Sequence, residues 1–258
     1  MNNIHVRIFG NGPNLVLLHG WGMHSSIWTS VHERLAQYFC LHLIDLPGHG
    51  FSSSVQTDTL DKLEAITEAI AKILPADSIV CGWSLGGQVA IELALRESQR
   101  VKKLILVSTT PHFVQCKDWL LGMEFSVLEL FTRNLKLDYK NTLDKFLVLQ
   151  AKGSGNTRKV LRQLRASVLR ETESNIVGLQ AGLQILLSTD LRKKIKYIHQ
   201  PVILVHGEND FIVNLGAAQW MHEQLQDSVL ISLSCCGHAP FLSHPDDFIA
   251  SVMRTIQV

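Results

Sequence analysis

The chain predicts an α/β fold: a mostly parallel, doubly wound sheet with a helical lid inserted into it. Three observations carry that prediction. The apolar runs Leu15–Leu18 and Leu104–Val107 are continuous rather than alternating, which suits strands buried on both faces of a parallel sheet, and Leu41–Leu46 is another mostly apolar strand. Helical patterns separate these runs as far as about residue 110, the alternation of a βαβ architecture. From about Pro111 to Leu191 the alternation stops and only helical periodicity remains, after which strands and helices resume. The expected division is a core of residues 1–110 and 192–258 and an inserted lid of residues 111–191. In a sheet of this kind an insertion there lies over the carboxyl ends of the strands, where ligands bind.

In chain order, Ile4 to Phe9 alternate weakly and predict an opening strand, and Gly10, Gly12 and Pro13 turn the chain. The Leu15–Leu18 strand ends in His19-Gly20-Trp21-Gly22. Residues 25–39 carry Ile27, Val31, Leu35 and Phe39 on one side and predict an amphipathic helix. The Leu41–Leu46 strand runs into the turn cluster Pro47-Gly48-His49-Gly50. Asp58 or Thr59 is suited to cap a helix reaching about Leu74, which Pro75 closes. Ile79 to Cys81 form the next strand, and Val89, Ala90, Leu93 and Ala94 share a face of the helix after it. Within the insertion, four helices are marked by Phe125, Leu128, Phe131 and Leu135, by Leu143, Phe146, Leu147 and Leu149, by Val160, Leu161, Leu164 and Val168, and by Leu179, Leu183, Ile185 and Leu186. The core resumes with a strand at Pro201–Val205, a helix near 215–226, a strand at Val229–Leu233 and a last helix from Pro245 to about Ile256.

The 258 residues are 46% hydrophobic and 18% charged, enough apolar material for a large core. A net charge of +1 argues against a nucleic-acid binder that works through bulk charge. The five cysteines are odd in number and form no C-x-x-C pair, and the opening MNNIHVRIFG shows no signal peptide. Free thiols in a reducing cytoplasm are therefore expected. No apolar run reaches ~18 residues, so no membrane span is expected. Twelve scattered histidines show no H-E-x-x-H spacing, and neither a metal nor a cofactor is expected. A monomer is the expected state.

Gly82-Trp83-Ser84-Leu85-Gly86 joins a strand to a helix. The G-x-S-x-G pattern is loose by itself, but strand, sharp turn and helix together are the setting of a nucleophile elbow. Glycines two residues either side of Ser84 fit a turn too tight for side chains. Such a turn lifts the serine hydroxyl and aims the first helical amides at the same point. The plain alternative is an ordinary βα loop, and the remaining segments weigh against it. A serine needs a base. His238, in Cys236-Gly237-His238-Ala239-Pro240, follows the last strand. An acid is expected after the preceding strand, where His206-Gly207-Glu208-Asn209-Asp210 stands. Asp210 is the preferred carboxylate to orient His238 and stabilise its imidazolium, with Glu208 as competitor. Two N–H donors for a developing oxyanion are expected from Leu85 and Trp21, and the Trp21 side chain suits a pocket wall.

With these four segments in place the chain resembles the α/β-hydrolase superfamily over nearly its whole length. Within it, the chain resembles the pimeloyl-[acyl-carrier protein] methyl ester esterases of biotin synthesis. The stretches that carry the likeness are LVLLHGWGMHSSIW (15–28), LHLIDLPGHGFS (41–52), GWSLGGQVA (82–90), FLVLQAKG (146–153), GLQILLSTDLR (182–192) and HAPFLSHP (238–245). The tryptophans of HGWG and GWSLGG and the FLxLQ segment are its more specific parts. The resemblance implies an α/β-hydrolase fold and a cytoplasmic carboxylesterase. That enzyme removes the methyl cap from a pimeloyl chain on acyl carrier protein, through an acyl-enzyme intermediate. It implies Ser84, Asp210 and His238 as the catalytic triad, and Trp21 and Leu85 as oxyanion and substrate contacts. Ser84 and His238 are implied among the substrate contacts too, with Phe146, Leu147, Val148, Leu149 and Gln150 meeting the acyl chain in the lid. It also implies docking of the carrier by Lys145, Arg158 and Arg162; a fourth position, usually arginine, is Asn141 here.

The charge count agrees with such a surface. Residues 140–170 hold eight cations against the single anion Asp144, in a chain whose total is +1. A charge run is usually a solvated helix face, but one this lopsided suits an acidic partner. Two rival enzymes share the fold, a general short-chain carboxylesterase and a carbon–carbon bond hydrolase. A reading of another class is a non-catalytic small-ligand receptor.

Overall fold

The structure, a computed structural model, describes residues 4–52, 61–169 and 176–256. Among these, seven strands form one sheet: β1 (Val6–Phe9), β2 (Asn14–Leu18), β3 (Cys40–Ile44), β4 (Ser78–Trp83), β5 (Val101–Val107), β6 (Val202–Gly207) and β7 (Ser228–Leu233). Their order is β1-β3-β2-β4-β5-β6-β7. Only β1 runs antiparallel, paired with β3 at the edge. That placement accounts for its weak alternation, with Ile8 largely exposed. The expected α/β architecture is the observed one.

The continuous apolar runs work because a strand sends successive side chains to opposite faces. Leu15 and Leu17 of β2 join Ile79, Cys81 and Ile105 in one core, against Trp28, Phe241 and Phe248. Val16 and Leu18 join Val80, Leu104 and Leu106 in the other. There they meet Ile66 and Ile70 of α2 (Leu63–Ala71) and Val89 and Leu93 of α3 (Leu85–Arg96).

Residues 25–39 depart from the single helix expected. They form a 3₁₀ helix, Ser25–Ser30, followed by the one-turn α1 (His32–Leu35). Ile27 N bonds to His24 O at 3.0 Å and Val31 N to Trp28 O at 3.0 Å, the i→i+3 pattern. Thr29 competes for the local backbone, its hydroxyl donating to Ser26 O at 2.5 Å, while the Ser30 hydroxyl donates to Phe241 O at 2.9 Å. Even so, Ile27, Val31, Leu35 and Phe39 are all buried. The proposed caps Asp58 and Thr59 lie outside the described residues.

Between β5 and β6 run α4 (Phe125–Leu137), α5 (Tyr139–Ala151), α6 (Thr157–Leu169) and α7 (Ile176–Ser188). Beyond them come α8 (Leu215–Gln224), the short α9 (Pro240–Ser243), which periodicity is too short to reveal, and α10 (Pro245–Met253). No helix among the described residues is long and apolar enough to cross a membrane. The cysteines Cys40, Cys81, Cys116, Cys235 and Cys236 are free thiols.

Two buried polar side chains hold the loops at the carboxyl ends of β2 and β3. The His19 ring donates from Nδ1 to Gly20 O at 2.8 Å and accepts from Leu46 N at 2.9 Å. Burial pushes its pKa down to about 3, so it stays neutral and can accept. Asp45 accepts from Ser25 N at 2.6 Å and Phe51 N at 3.0 Å. Burial opposes its ionisation, but His19 and these donated bonds hold the carboxyl below its ordinary value of 3.8. Asp45→Ala leaves the buried Ser25 amide and the half-buried Phe51 amide unpaired, so it should lower unfolding stability by about 1–3 kcal/mol in urea titrations at pH 7. Because the folded carboxyl lies below 3.8, its contribution is full above that pH and is lost as the pH falls through the folded value. The gap between wild type and variant should therefore hold at near-neutral pH and narrow only in strong acid.

Candidate active site

Ser84 sits between β4 and α3 with φ 55° and ψ −117°, a backbone state that costs ~1–3 kcal/mol outside a fold that enforces it. The enforcement comes from backbone packed on backbone. A Cβ at Gly82 would overlap the Gly86 carbonyl, and one at Gly86 would overlap the carbonyls of Leu18 and His19. Strand β5 holds the turn from the other side: Ser84 N donates to Val107 O at 3.0 Å, and the Thr109 hydroxyl donates to Ser84 O at 2.7 Å. The Ser84 side chain caps nothing, so its hydroxyl is unspent.

His238 follows β7 and is wholly buried. Its Nδ1 lies 2.7 Å from Asp210 Oδ2. An ionised carboxylate only accepts, so the ring proton sits on Nδ1 and Nε2 is the free base. Asp210 Oδ1 accepts from Ile212 N at 2.8 Å and Val213 N at 3.0 Å, which fills both oxygens. Burial disfavours the Asp210 anion, but His238 and these donors hold its carboxyl below the ordinary range. Trp83, next to the serine, donates its indole N–H to His238 O at 2.7 Å and so ties the base loop to the elbow. His238 Nε2 is buried and makes no hydrogen bond to Ser84 in this state; such contacts commonly tighten only around a substrate. Glu208 is exposed, and its carboxylate makes no contact to either histidine of the region among the described residues.

One contributor was not singled out from sequence. His206 is buried, donates from Nε2 to Val213 O at 2.9 Å, and lies 3.5 Å from Asp210 Oδ2. Burial lowers its pKa, so it braces the Asp210 turn as a neutral donor. The signal was its place at the end of a buried strand four residues before the acid, which spacing alone cannot separate from a core histidine.

Gly20 packs against Ser84, a Cβ there lying 3.3 Å from the Ser84 Cβ. This brings the Trp21 peptide beside the elbow. Among the described residues, neither the Trp21 nor the Leu85 N–H is taken by a turn or loop backbone bond. The Trp21 indole donates to Leu179 O at 2.8 Å, and its ring meets Phe131 at 5.4 Å and Phe146 at 5.1 Å. These three rings, with Leu149, Leu183 and Leu186, line an apolar cavity of about 140 Å³ whose single charged lining residue is Lys145.

The Phe146–Gln150 segment is split by its helix. Phe146 and Leu149, three apart on one face, line the cavity. Leu147 packs into the core with Val160 and Leu164, Val148 is 44% exposed, and Gln150 is buried with its side-chain oxygen unpaired. Lys145, Arg158 and Arg162 are exposed and form no ion pair among the described residues. Arg165, by contrast, is held by Asp144 through two bonds of 2.8 Å. Asn141 is exposed one turn before Lys145 on α5. No group of histidine, cysteine and carboxylate side chains fit to hold a metal occurs among the described residues.

A serine on a strained turn, a buried imidazole with a free nitrogen and a carboxylate behind it can activate a hydroxyl for acyl transfer. Comparison with known proteins agrees. The model of the alpha/beta hydrolase family matches residues 15–251. A pimeloyl-[acyl-carrier protein] methyl ester esterase of Nitrosospira multiformis is 49% identical over 98% of this chain and 97% of its own. The protein of that name from Nitrosomonas europaea is 51% identical over 97% of this chain and 98% of its own. Among solved structures, an esterase from Exiguobacterium antarcticum superposes with a TM-score of 0.90 at 22% identity, covering 100% of this chain and 96% of that one. A bromoperoxidase from Bacillus anthracis gives 0.90 at 19% identity over 99% and 95%; these two likenesses speak to the fold.

The geometry separates the two carboxylates. Asp210→Asn should lower kcat for p-nitrophenyl acetate by up to about 10⁴-fold, because an amide favours the wrong tautomer of His238. Glu208→Gln should stay within about twofold in the same steady-state assay, as expected for a surface change.

Proposed function

The chain belongs to the alpha/beta hydrolase family and, within it, to the pimeloyl-[acyl-carrier protein] methyl ester esterases. From that premise we propose that it is a carboxylic ester hydrolase that cleaves the methyl ester of a pimeloyl chain carried by acyl carrier protein. The observation that carries the reading is the His238–Asp210 pair, locked at 2.7 Å with Nε2 free, set against the unspent Ser84 hydroxyl.

In this reading Ser84 attacks the ester carbonyl while His238 Nε2 takes its proton. The Leu85 and Trp21 amides donate to the oxyanion of the tetrahedral intermediate. His238 then returns the proton to the departing methanol and leaves an acyl-enzyme. Water, deprotonated by the same nitrogen, releases the free carboxylate and restores Ser84. Residues 111–191 serve as the lid over a core of residues 1–110 and 192–258. The aromatic wall of Trp21, Phe131 and Phe146 excludes water and accepts the neutral methyl ester. Lys145, Arg158 and Arg162 dock the acidic carrier. A cytoplasmic monomer belongs to the same reading.

Ser84→Ala should remove turnover of the carrier-bound ester and of p-nitrophenyl acetate alike. It should leave at most the ~10³-fold advantage over water that binding and the oxyanion donors supply, and the circular dichroism spectrum should be unchanged. A fluorophosphonate followed by peptide mapping should label Ser84; a label on another serine sinks the assignment.

Reversing Lys145, Arg158 and Arg162 together to glutamate should lower kcat/KM for the carrier-bound ester by ~10-fold or more. It should spare p-nitrophenyl acetate, since exposed charges act on encounter and are screened over ~8 Å. Added salt should weaken the wild type on the carrier substrate alone. Equal loss on both esters would mean that these residues only hold the lid together. A wild type that cleaves free and carrier-bound methyl esters equally well would favour a general carboxylesterase.

A further inference from the structure

One four-residue turn of the helical insertion touches the chain immediately before both the acid and the base. Helix α5 ends at Ala151 and α6 begins at Thr157; the turn Lys152–Gly155 and Asn156 lie between them. Gly153 has φ 84°, and a Cβ there would overlap the carbonyl of Asn209, the residue before Asp210. A Cβ at Gly237, the residue before His238, would overlap the carbonyl of Lys152. Gly155 N donates to Cys235 O at 2.7 Å. The Lys152 ammonium stands 4.0 Å from the centre of the Phe211 ring, on the far side of Asp210. The acid and base loops are themselves joined by Asn209 N to Cys236 O at 2.9 Å.

We propose that the Lys152–Gly155 turn is a positioning element for Asp210 and His238, so that the insertion builds the proton-transfer pair as well as covering the cavity. The inference rests on reading Ser84, Asp210 and His238 as the reacting set. Its physical basis is the nature of the contacts. Side chains can change rotamer to absorb a displacement, whereas backbone pressed on backbone at a glycine transmits it. His238 Nε2 makes no bond to Ser84 in this state, and proton transfer needs that gap set within tenths of an ångström. Lys145 lies on α5 and Arg158 and Arg162 lie on α6. A partner seated on these two helices therefore bears on the joint that holds the base.

The test uses the full chain with p-nitrophenyl acetate and a fluorophosphonate, neither of which needs the basic surface. Gly153→Ala should lower kcat by about 10- to 100-fold with KM within about twofold, and should slow Ser84 labelling by the same factor. The far-downfield proton resonance of His238 Nδ1–H should broaden or vanish, while the circular dichroism spectrum is kept. Lys152→Met leaves the backbone alone and should lower kcat several-fold in the same way; it decides the matter if Gly153→Ala does not fold. Folded variants with wild-type kcat, labelling rate and proton resonance overturn the proposal, as does a change confined to KM. A wild type whose label falls elsewhere than Ser84 brings down the parent reading itself, a result distinct from these.

Discussion

The direct contact of backbone with backbone at Gly82 and Gly86 is the constraint on which the site depends. It lets β4 stop and α3 start within one residue, and it places that residue, Ser84, in a conformation an L-amino acid avoids. Nothing local would keep it there. The carbonyls of Leu18 and His19 press from β2, and Val107 and Thr109 hold from the β5 side. A sheet buried on both faces is thus what makes a strained turn affordable, because distorting the turn would also disturb the pairing of three central strands.

The rest of the site is assembled by similar economies of space. Trp83 belongs to the elbow yet holds the peptide of His238. His206 belongs to β6 yet steadies the turn whose amides fill Asp210. Apart from the bond between Asp210 and His238, these contacts run to main-chain groups, which titrate at no ordinary pH. The histidines around them, His19 and His206, are kept neutral by burial. Buried charge near the elbow therefore rests on the carboxylates of Asp210 and Asp45.

Much of this was legible in the sequence because it follows from short-range rules. Continuous apolar runs of four or five residues gave away a sheet covered on both sides, and the paired glycines around Ser84 gave away the elbow. Asp210 and His238 followed from their places after β6 and β7. What escaped was whatever depends on competition or on distant partners. An apparent amphipathic helix proved to be a 3₁₀ segment, in which Thr29 bonds its own backbone, without disturbing its buried face. The five residues from Phe146 to Gln150 read as one unit, yet a helix sends them to a cavity, a core and the solvent. His206 looked like any strand histidine, since its partner Val213 is reached only through the fold.

Residue 21 gathers three duties in one side chain and one amide. Its peptide follows Gly20, which packs on Ser84, its ring forms part of the cavity wall with Phe131 and Phe146, and its indole nitrogen fastens α7 through Leu179. Such overlap narrows the routes open to evolution or to an engineer. A smaller residue at position 21 that enlarged the cavity would also loosen the insertion and unsettle the loop beside Ser84. Leu183 and Leu186 face the same space without carrying those other duties. The shape of the cavity is thus free to drift at the leucines while the tryptophan stays fixed.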